Sequence, residues 1–335
     1  MAATMKDLAK ETGLGLATIS SYFNGGNVRE QNKEKIESAV RKLNFEINEV
    51  ARGLKMDHTN MIGVVIPELN SIFCAEIITE IEDVLRSYGY ATIICDCRTD
   101  ENREREAVDF LLHKRVDGLI IMPTATSKEV IRKFIQNEKP IVLVDRMLAD
   151  VSCDSILVDN EKAVNESVKQ LIELGHHEIG IISGPKGIYT SEERLAGYAK
   201  ALTSYGIKLK KRLIADGEFT ISGGSNAMDK LIMDNKNMTA VIVTNYEMTV
   251  GAMISINERN ISIPEELSVI GYDNEEFARA TNPRLSIISQ PTKEIGESVA
   301  RTLIRRINNK EANIKTIRLD TKFINGKSIR GGVYE

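Results

Sequence analysis

Beyond about residue 60 the chain alternates short runs of Val and Ile with longer segments whose apolar residues recur at helical spacing. The runs MIGVVI (61–66), YATIIC (90–95), DGLIIM (117–122) and PIVLV (140–144) predict strands. The segments between them predict helices over Ala75–Tyr88, Arg103–His113 and Lys128–Gln136. The pattern restarts with SILV (155–158), EIGIIS (178–183), a strand near Leu213–Phe219, AVIVT (240–244) and LSVIGY (267–272). Here the helices fall over Glu161–Leu174, Glu192–Tyr205, Gly224–Asp234 and Met248–Arg259. Strands apolar on both faces and separated by crossover helices belong to parallel sheets covered on both sides. Two such series predict two similar α/β subdomains. The last stretch, with LSIIS (285–289), a long helix over Thr292–Ile307 and short strands, completes both sheets, so the chain crosses between them more than once.

The first fifty residues have a different period. MKDLAKETGLGLATISSYFN (5–24) predicts two short helices joined by a tight turn. Thr4 and Asp7 form a capping box for the first helix, and Gly13 supplies a turn position that needs φ > 0. Ile19 returns to pack over Leu8 and Ala9, with Tyr22 flanking, which is the helix-turn-helix arrangement. A third helix runs from about Gln31 to Leu43, with Ile36, Val40 and Leu43 on one face. NEVARGLK (48–55) opens on a good N-cap, Asn48, but is too short to stand as an isolated helix and reads as a linker that becomes helical when held. On spacing alone, an ordinary αα-hairpin is the competing reading of residues 5–24. The expected organisation is a DNA-binding domain over 1–47, a hinge over 48–59, and a core over 60–335. Within the core, one subdomain takes about 60–160 plus 290–320 and the other about 161–289 plus 321–335.

Composition narrows the class without deciding it. At 335 residues and net charge −4 the chain is an ordinary globular sequence with room for two or three cores. Residues 1–56 hold nine Lys/Arg against seven Asp/Glu, a bias too weak to argue for DNA, although phosphate contacts need local donors rather than a high pI. No apolar run approaches the roughly 18 residues of a membrane span, and the N-terminus lacks a signal-peptide pattern, so a cytoplasmic protein is expected. Cys74, Cys95, Cys97 and Cys153 fit no zinc spacing and read as structural thiols. His176 and His177 sit in a helix-to-strand turn and read as structural too.

In open parallel sheets ligands bind beyond the carboxyl ends of the strands, and two facing subdomains bring those ends to one cleft. The polar residues expected there are Asn70, Asp145, Asn245, Asp273 and Gln290, joined by Arg194. Such a set suits vicinal hydroxyls or a carboxylate, while for each strand-end Asp or Asn the competing role is to cap the next helix. Enzymatic signatures are missing: there is no G-x-G-x-x-G after a strand, no complete P-loop, no G-x-S-x-G and no H-E-x-x-H.

Taken together, TISSYFN, RKLNF, NEVARGL, IGVVIPELNSIF, LGHHEIGIISGP, ERLAGY, TNYEM, IPEELSVIGYDN and the QP preceding EIG resemble, in this order, the lactose-repressor (LacI/GalR) family of bacterial transcription regulators. The resemblance spans essentially the whole chain. It implies a cytoplasmic homodimer that binds a pseudo-palindromic operator in double-stranded DNA, acts most often as a repressor, and needs no cofactor or metal. Leu16, Ala17, Ser20 and Ser21 would then face base edges, with Thr18 and Asn24 nearer the phosphates and Thr4 beside them. Asn48 would start a hinge helix, Ala51 would meet its twin, and Leu54 would wedge into the minor groove. Phe73 would stack on a sugar-like effector, with Asp145, Arg194, Asn245 and Asp273 hydrogen-bonded to it. The fold implied is that of the periplasmic binding proteins, which makes a solute-binding protein the rival from another class; an α/β enzyme without a recognisable motif is the third reading.

The sequence also departs from the family pattern. Ser21 stands where Arg is usual, Gly15 where Ser is usual, Ile47 where Pro precedes the hinge, and Tyr246 where Asp commonly follows the asparagine. No heptad repeat follows the core, which favours a dimer over a tetramer.

Overall fold

The structure is a computed structural model that describes residues 3–23, 25–45, 58–124, 128–148 and 151–330. Its contacts divide the chain into two compact units, Met1–Thr59 and Asn60–Glu335.

The first unit holds α1 (Met5–Thr12), α2 (Leu16–Phe23) and α3 (Glu30–Leu43). Both halves of the α1 capping box form: Asp7 N–H donates to Thr4 Oγ1 at 3.4 Å, and Thr4 N–H donates to Asp7 Oδ2 at 2.8 Å. Gly13 ends α1 at φ 68°, where a Cβ would be strained. Leu8, Ile19, Val28, Ile36, Ala39 and Phe45 make the core, so the aliphatic positions named from sequence do meet.

The second unit is two six-stranded sheets. The first is built from β1 (Met61–Ile66), β2 (Ala91–Asp96), β3 (Gly118–Ile121), β4 (Ile141–Val144), β5 (Asp154–Val158) and β11 (Thr316–Leu319), in the order β11-β5-β4-β3-β1-β2, all parallel. The second uses β6 (Ile179–Ser183), β7 (Ile214–Asp216), β8 (Ala240–Val243), β9 (Ser268–Tyr272), β10 (Ser286–Ser289) and β12 (Lys322–Ile324), in the order β12-β10-β9-β8-β6-β7. Only β12 runs antiparallel, against β10. Around the first sheet lie α4 (Ile72–Ser87), α5 (Glu101–His113), α6 (Lys128–Gln136) and α12 (Thr292–Asn308); around the second lie α7 (Asn160–Glu173), α8 (Tyr189–Ser204), α9 (Ile221–Asp234), α10 (Tyr246–Glu258) and α11 (Glu275–Ala280). Each sheet has a separate apolar core on each face, which is why its strands are apolar throughout. The chain passes between the sheets three times: after β5, between β10 and α12, and between β11 and β12.

Two details differ from the sequence expectation. The strand near Leu213–Phe219 shrinks to Ile214–Asp216, because Glu218 and Phe219 take φ 55° and 56°, outside any strand conformation. Several helices begin two or three residues early, α4 at Ile72 and α8 at Tyr189 among them, their first turns reaching into the cleft. His176 is buried, bridging Thr239 Oγ1 at 2.8 Å and the Arg330 carbonyl at 2.7 Å, and burial pushes its imidazole below the usual pKa. The four thiols are free, with Cys74 and Cys97 buried.

Candidate functional site

The carboxyl ends of the two sheets face each other, and the second half of the unit repeats the first. Asp145 follows β4 and Asp273 follows β9, each at positive φ (63° and 57°), and each N–H donates to the next strand, Ile156 O at 2.9 Å and Ile288 O at 2.7 Å. Aspartate tolerates this left-handed backbone better than most residues, and here it turns a carboxylate toward the opposing sheet.

Arg194, in the second turn of α8, is the hub. Its Nε donates to Asn160 Oδ1 at 2.7 Å, its Nη1 donates to the Thr244 carbonyl at 2.5 Å, and its guanidinium lies 4.2 Å from the centre of the Tyr272 ring. Tyr272 O–H donates to the same Asn160 oxygen at 3.3 Å, so one asparagine ties two helices and a strand together. Burial pushes the Tyr272 phenol up, despite the nearby guanidinium. Gln290 holds Asp273 from the crossover after β10: its N–H reaches Oδ1 at 3.1 Å and its Nε2 reaches Oδ2 at 2.8 Å. Desolvation nonetheless pushes the Asp273 carboxyl up to about 7, with Asp145 adding to the rise while Arg194 and Gln290 oppose it.

A cavity of about 480 Å³ opens beside this network, lined from the first sheet by Phe73 and Glu76 of α4 and from the second by Tyr246, Asp273 and Gln290. Tyr246 is braced edge-on against Phe277 at 5.6 Å between centroids. Among the described residues seven buried side-chain polar atoms have no hydrogen-bond partner, and five belong to this network: Asp145 Oδ1, Arg146 Nε, Asn160 Nδ2, Ser191 Oγ and Gln290 Oε1. An unsatisfied buried polar atom costs about 1–3 kcal/mol, so these five mark a region whose polar groups the protein's own hydrogen bonds do not satisfy.

The residues expected in the cleft therefore divide. Phe73, Asp273 and Gln290 line the cavity, and Asp145 and Arg194 belong to the network beside it. Asn245 instead caps α10, its Oδ1 accepting from Met248 N–H at 2.9 Å and its Nδ2 donating to Glu247 Oε2 at 2.6 Å. Asn70 is exposed and absent from the cavity wall. Four further residues enter that sequence reasoning missed. Arg146 and Asn160 follow strands just as the chosen Asp and Asn do, and Ser191 precedes Arg194 by three on the same helix face, so their signals were present. Phe219 was not legible. Its ring stands where a Cβ on Gly184 would come within 2.2 Å, a position set by the left-handed backbone after β7.

In the first unit, Leu16 and Ala17 are exposed on α2 while Thr18, Ser20 and Ser21 are half-buried. Ser21 is turned toward the loop before α3. A Cβ on Gly26 would meet its Oγ at 2.3 Å, and Gly26 N–H donates to its carbonyl at 2.8 Å. Ser21 is thus packed against the chain that leaves α2. Thr4 is exposed but engaged in its cap. Asn24, Asn48, Ala51 and Leu54 lie outside the described residues.

Residues 59–327 match the family described as "Periplasmic binding proteins and sugar binding domain of LacI family". The chain belongs to the LacI family. Like this LacI-family chain, the ribose operon repressor of Haemophilus influenzae spans both units, at 33% identity over 98% of each chain. Catabolite control protein A of Priestia megaterium is 31% identical over 93% of this chain and 94% of its own. Among solved structures, the Lac repressor dimer bound to operator and the anti-inducer ONPF superimposes with a TM-score of 0.88 at 25% identity, covering 98% of this chain and 100% of its own. These relatives are transcription regulators, not enzymes. No helix among the described residues is long and apolar enough to cross a membrane.

Proposed function

We propose that this LacI-family protein is a cytoplasmic, homodimeric repressor whose affinity for operator DNA is controlled by a sugar or sugar derivative bound in the cleft. The observation that carries the effector half is the set of five buried atoms without a hydrogen bond, one of them, Arg146 Nε, in an ion pair with Asp145 at 3.7 Å. Arg146 Nε and Asn160 Nδ2 are donors, Asp145 Oδ1 and Gln290 Oε1 are acceptors, and Ser191 Oγ is either. Hydroxyl groups both donate and accept, so a polyol satisfies such a mixed set where a purely apolar or purely acceptor ligand does not. Phe73 and Phe219 offer apolar faces for the sugar ring.

The DNA half rests on the three-helix unit and the family's relatives. Leu16, Ala17, Ser20 and Ser21 are assigned to base edges, Thr18 and Asn24 to phosphates with Thr4 beside them, and Asn48, Ala51 and Leu54 to the hinge. A solute-binding role, the rival reading, leaves the first unit and its capping box without a purpose.

Closure of the two sheets on a ligand would shift the hinge, and the coupling is reciprocal: whatever effector does to operator affinity, operator does to effector affinity. The test is operator binding by gel shift, with genomic fragments flanking the gene as probe, with and without a panel of sugars. A sugar-dependent change in affinity, lost in Arg194→Ala, supports the assignment. DNA binding indifferent to every sugar refutes the effector class.

A further inference from the structure

The cavity wall is strongly one-sided in charge. It carries five glutamates, Glu76 and Glu80 of α4, Glu275 and Glu276 after β9, and Glu294 in the first turn of α12, with the Asp273 carboxyl, raised to about 7, beside them. Against them stand only Lys293 and Lys322. Among the described residues, no ion pair neutralises the five glutamates or the two lysines. Burial raises the Glu68 carboxyl, and the carboxylates of Asp96 and Glu247 add to the rise while Arg98 opposes it.

The second observation is independent of that charge. Gln290 is 6% exposed and lines the cavity, and its amide orientation is fixed because Nε2 serves Asp273; Oε1 is left facing no donor. Asp145 Oδ1 is a second buried acceptor without a hydrogen bond, on a carboxylate whose other oxygen lies 3.7 Å from Arg146 Nε. An ammonium group is a donor only, and it suits two orphan acceptors among carboxylates. The faces of Tyr246 and Phe73 add a favourable surface for a cation. The orphan donors Arg146 Nε and Asn160 Nδ2 still require oxygen atoms on the guest, so it must carry hydroxyls as well.

We infer that the effector is a cationic polyol, an amino sugar with a free ammonium group, and that sugar phosphates and uronates are excluded by the wall. This rests on the cleft being the effector site. The acidic wall also distinguishes the free amine from its N-acetylated form, which keeps the shape but loses the charge.

The experiment is titration calorimetry on the full chain at pH 7 and low ionic strength, using matched sets built on glucose, galactose and mannose. Each set contains the free hexosamine, its N-acetyl derivative, the neutral hexose and the 6-phosphate. In at least one set the hexosamine should bind at least about tenfold tighter than its neutral counterparts, with the 6-phosphate weakest, and salt should erode the preference. The paired change Glu76→Gln with Glu294→Gln should shrink that preference several-fold while leaving the unfolding midpoint in place, since both side chains are at the surface. A neutral hexose or 6-phosphate that matches or outbinds the amine overturns the inference and leaves a sugar-controlled regulator standing. Heat from no member of any set overturns both the inference and the sugar effector.

Discussion

Replacing Arg194 by alanine is the perturbation the structure specifies best. The side chain makes two charge-assisted hydrogen bonds, to Asn160 Oδ1 at 2.7 Å and Thr244 O at 2.5 Å, and a stacking contact with Tyr272 at 4.2 Å. Each such hydrogen bond contributes about 1.5–3 kcal/mol, and a desolvated cation–π contact about 2. Against these stands the cost of burying a guanidinium, which the variant no longer bears. Truncation also strands the Thr244 carbonyl and removes the guanidinium that opposes the rise of Asp273, leaving Arg146, 3.7 Å from Asp145, as the remaining cation beside the two carboxyls. The net loss should be about 3–5 kcal/mol, the usual result of removing one partner from a buried charged network. For a unit this large that lowers the thermal midpoint by roughly 6–10 °C, at about 2 °C per kcal/mol. The assay is differential scanning calorimetry of the full chain beside Arg194→Lys, which keeps the charge but cannot serve both acceptors from one planar fork. A lysine variant intermediate between wild type and alanine is expected. An alanine variant within 1 kcal/mol of wild type would show that Arg194 is not the hub, and the reading of the cleft built on it would fail.

Three further outcomes follow from particular contacts. Gly251 of α10 passes so close to α9 that an added Cβ would stand 2.0 Å from the Ile221 carbonyl. Backbone cannot yield as a side chain does, so Gly251→Ala should cost about 3 kcal/mol in urea unfolding, at the upper end for overpacking; a neutral substitution would mean that the helices are free to separate. The Asp273 carboxyl, raised to about 7 from an ordinary 3.8, holds its proton more tightly folded than unfolded. Relative to Asp273→Asn, the wild type should therefore lose stability as pH rises from about 4 to 7 and stay level above that, whereas a difference flat across the range would contradict the buried carboxyl. At the position proposed for the hinge, Leu54→Ala should weaken operator binding in the gel-shift assay with calorimetric sugar binding unchanged, and undiminished operator affinity would remove the minor-groove wedge.

The parallel sheets were readable because period and burial agree. Runs such as IVLV and AVIV are apolar at every position, a pattern stable only between two helical layers. The capping box at Thr4 and Asp7 and the turn at Gly13 are local, set by residues within four positions of one another, so the helix-turn-helix was legible from its first line. Strand-end placement was legible in outline too: Asp145, Asp273 and Gln290 follow the carboxyl ends of their strands, and the last two line the cavity. Tertiary structure alone decided the rest. Whether a strand-end amide caps its helix or faces the cleft depends on what lies opposite, and Asn245 and Asn160, alike in sequence setting, divide on that point. Gly26 packs against Ser21 through a contact five residues away that no helical period encodes. Phe219 comes to stand against Gly184 because two consecutive residues take the left-handed backbone, and the wall charge exists because α4, α12 and the loop after β9 converge from separate stretches of chain. Local patterns fix elements because their energies are short-ranged; the cleft's partners, charge and orphan atoms arise only when two sheets are brought face to face.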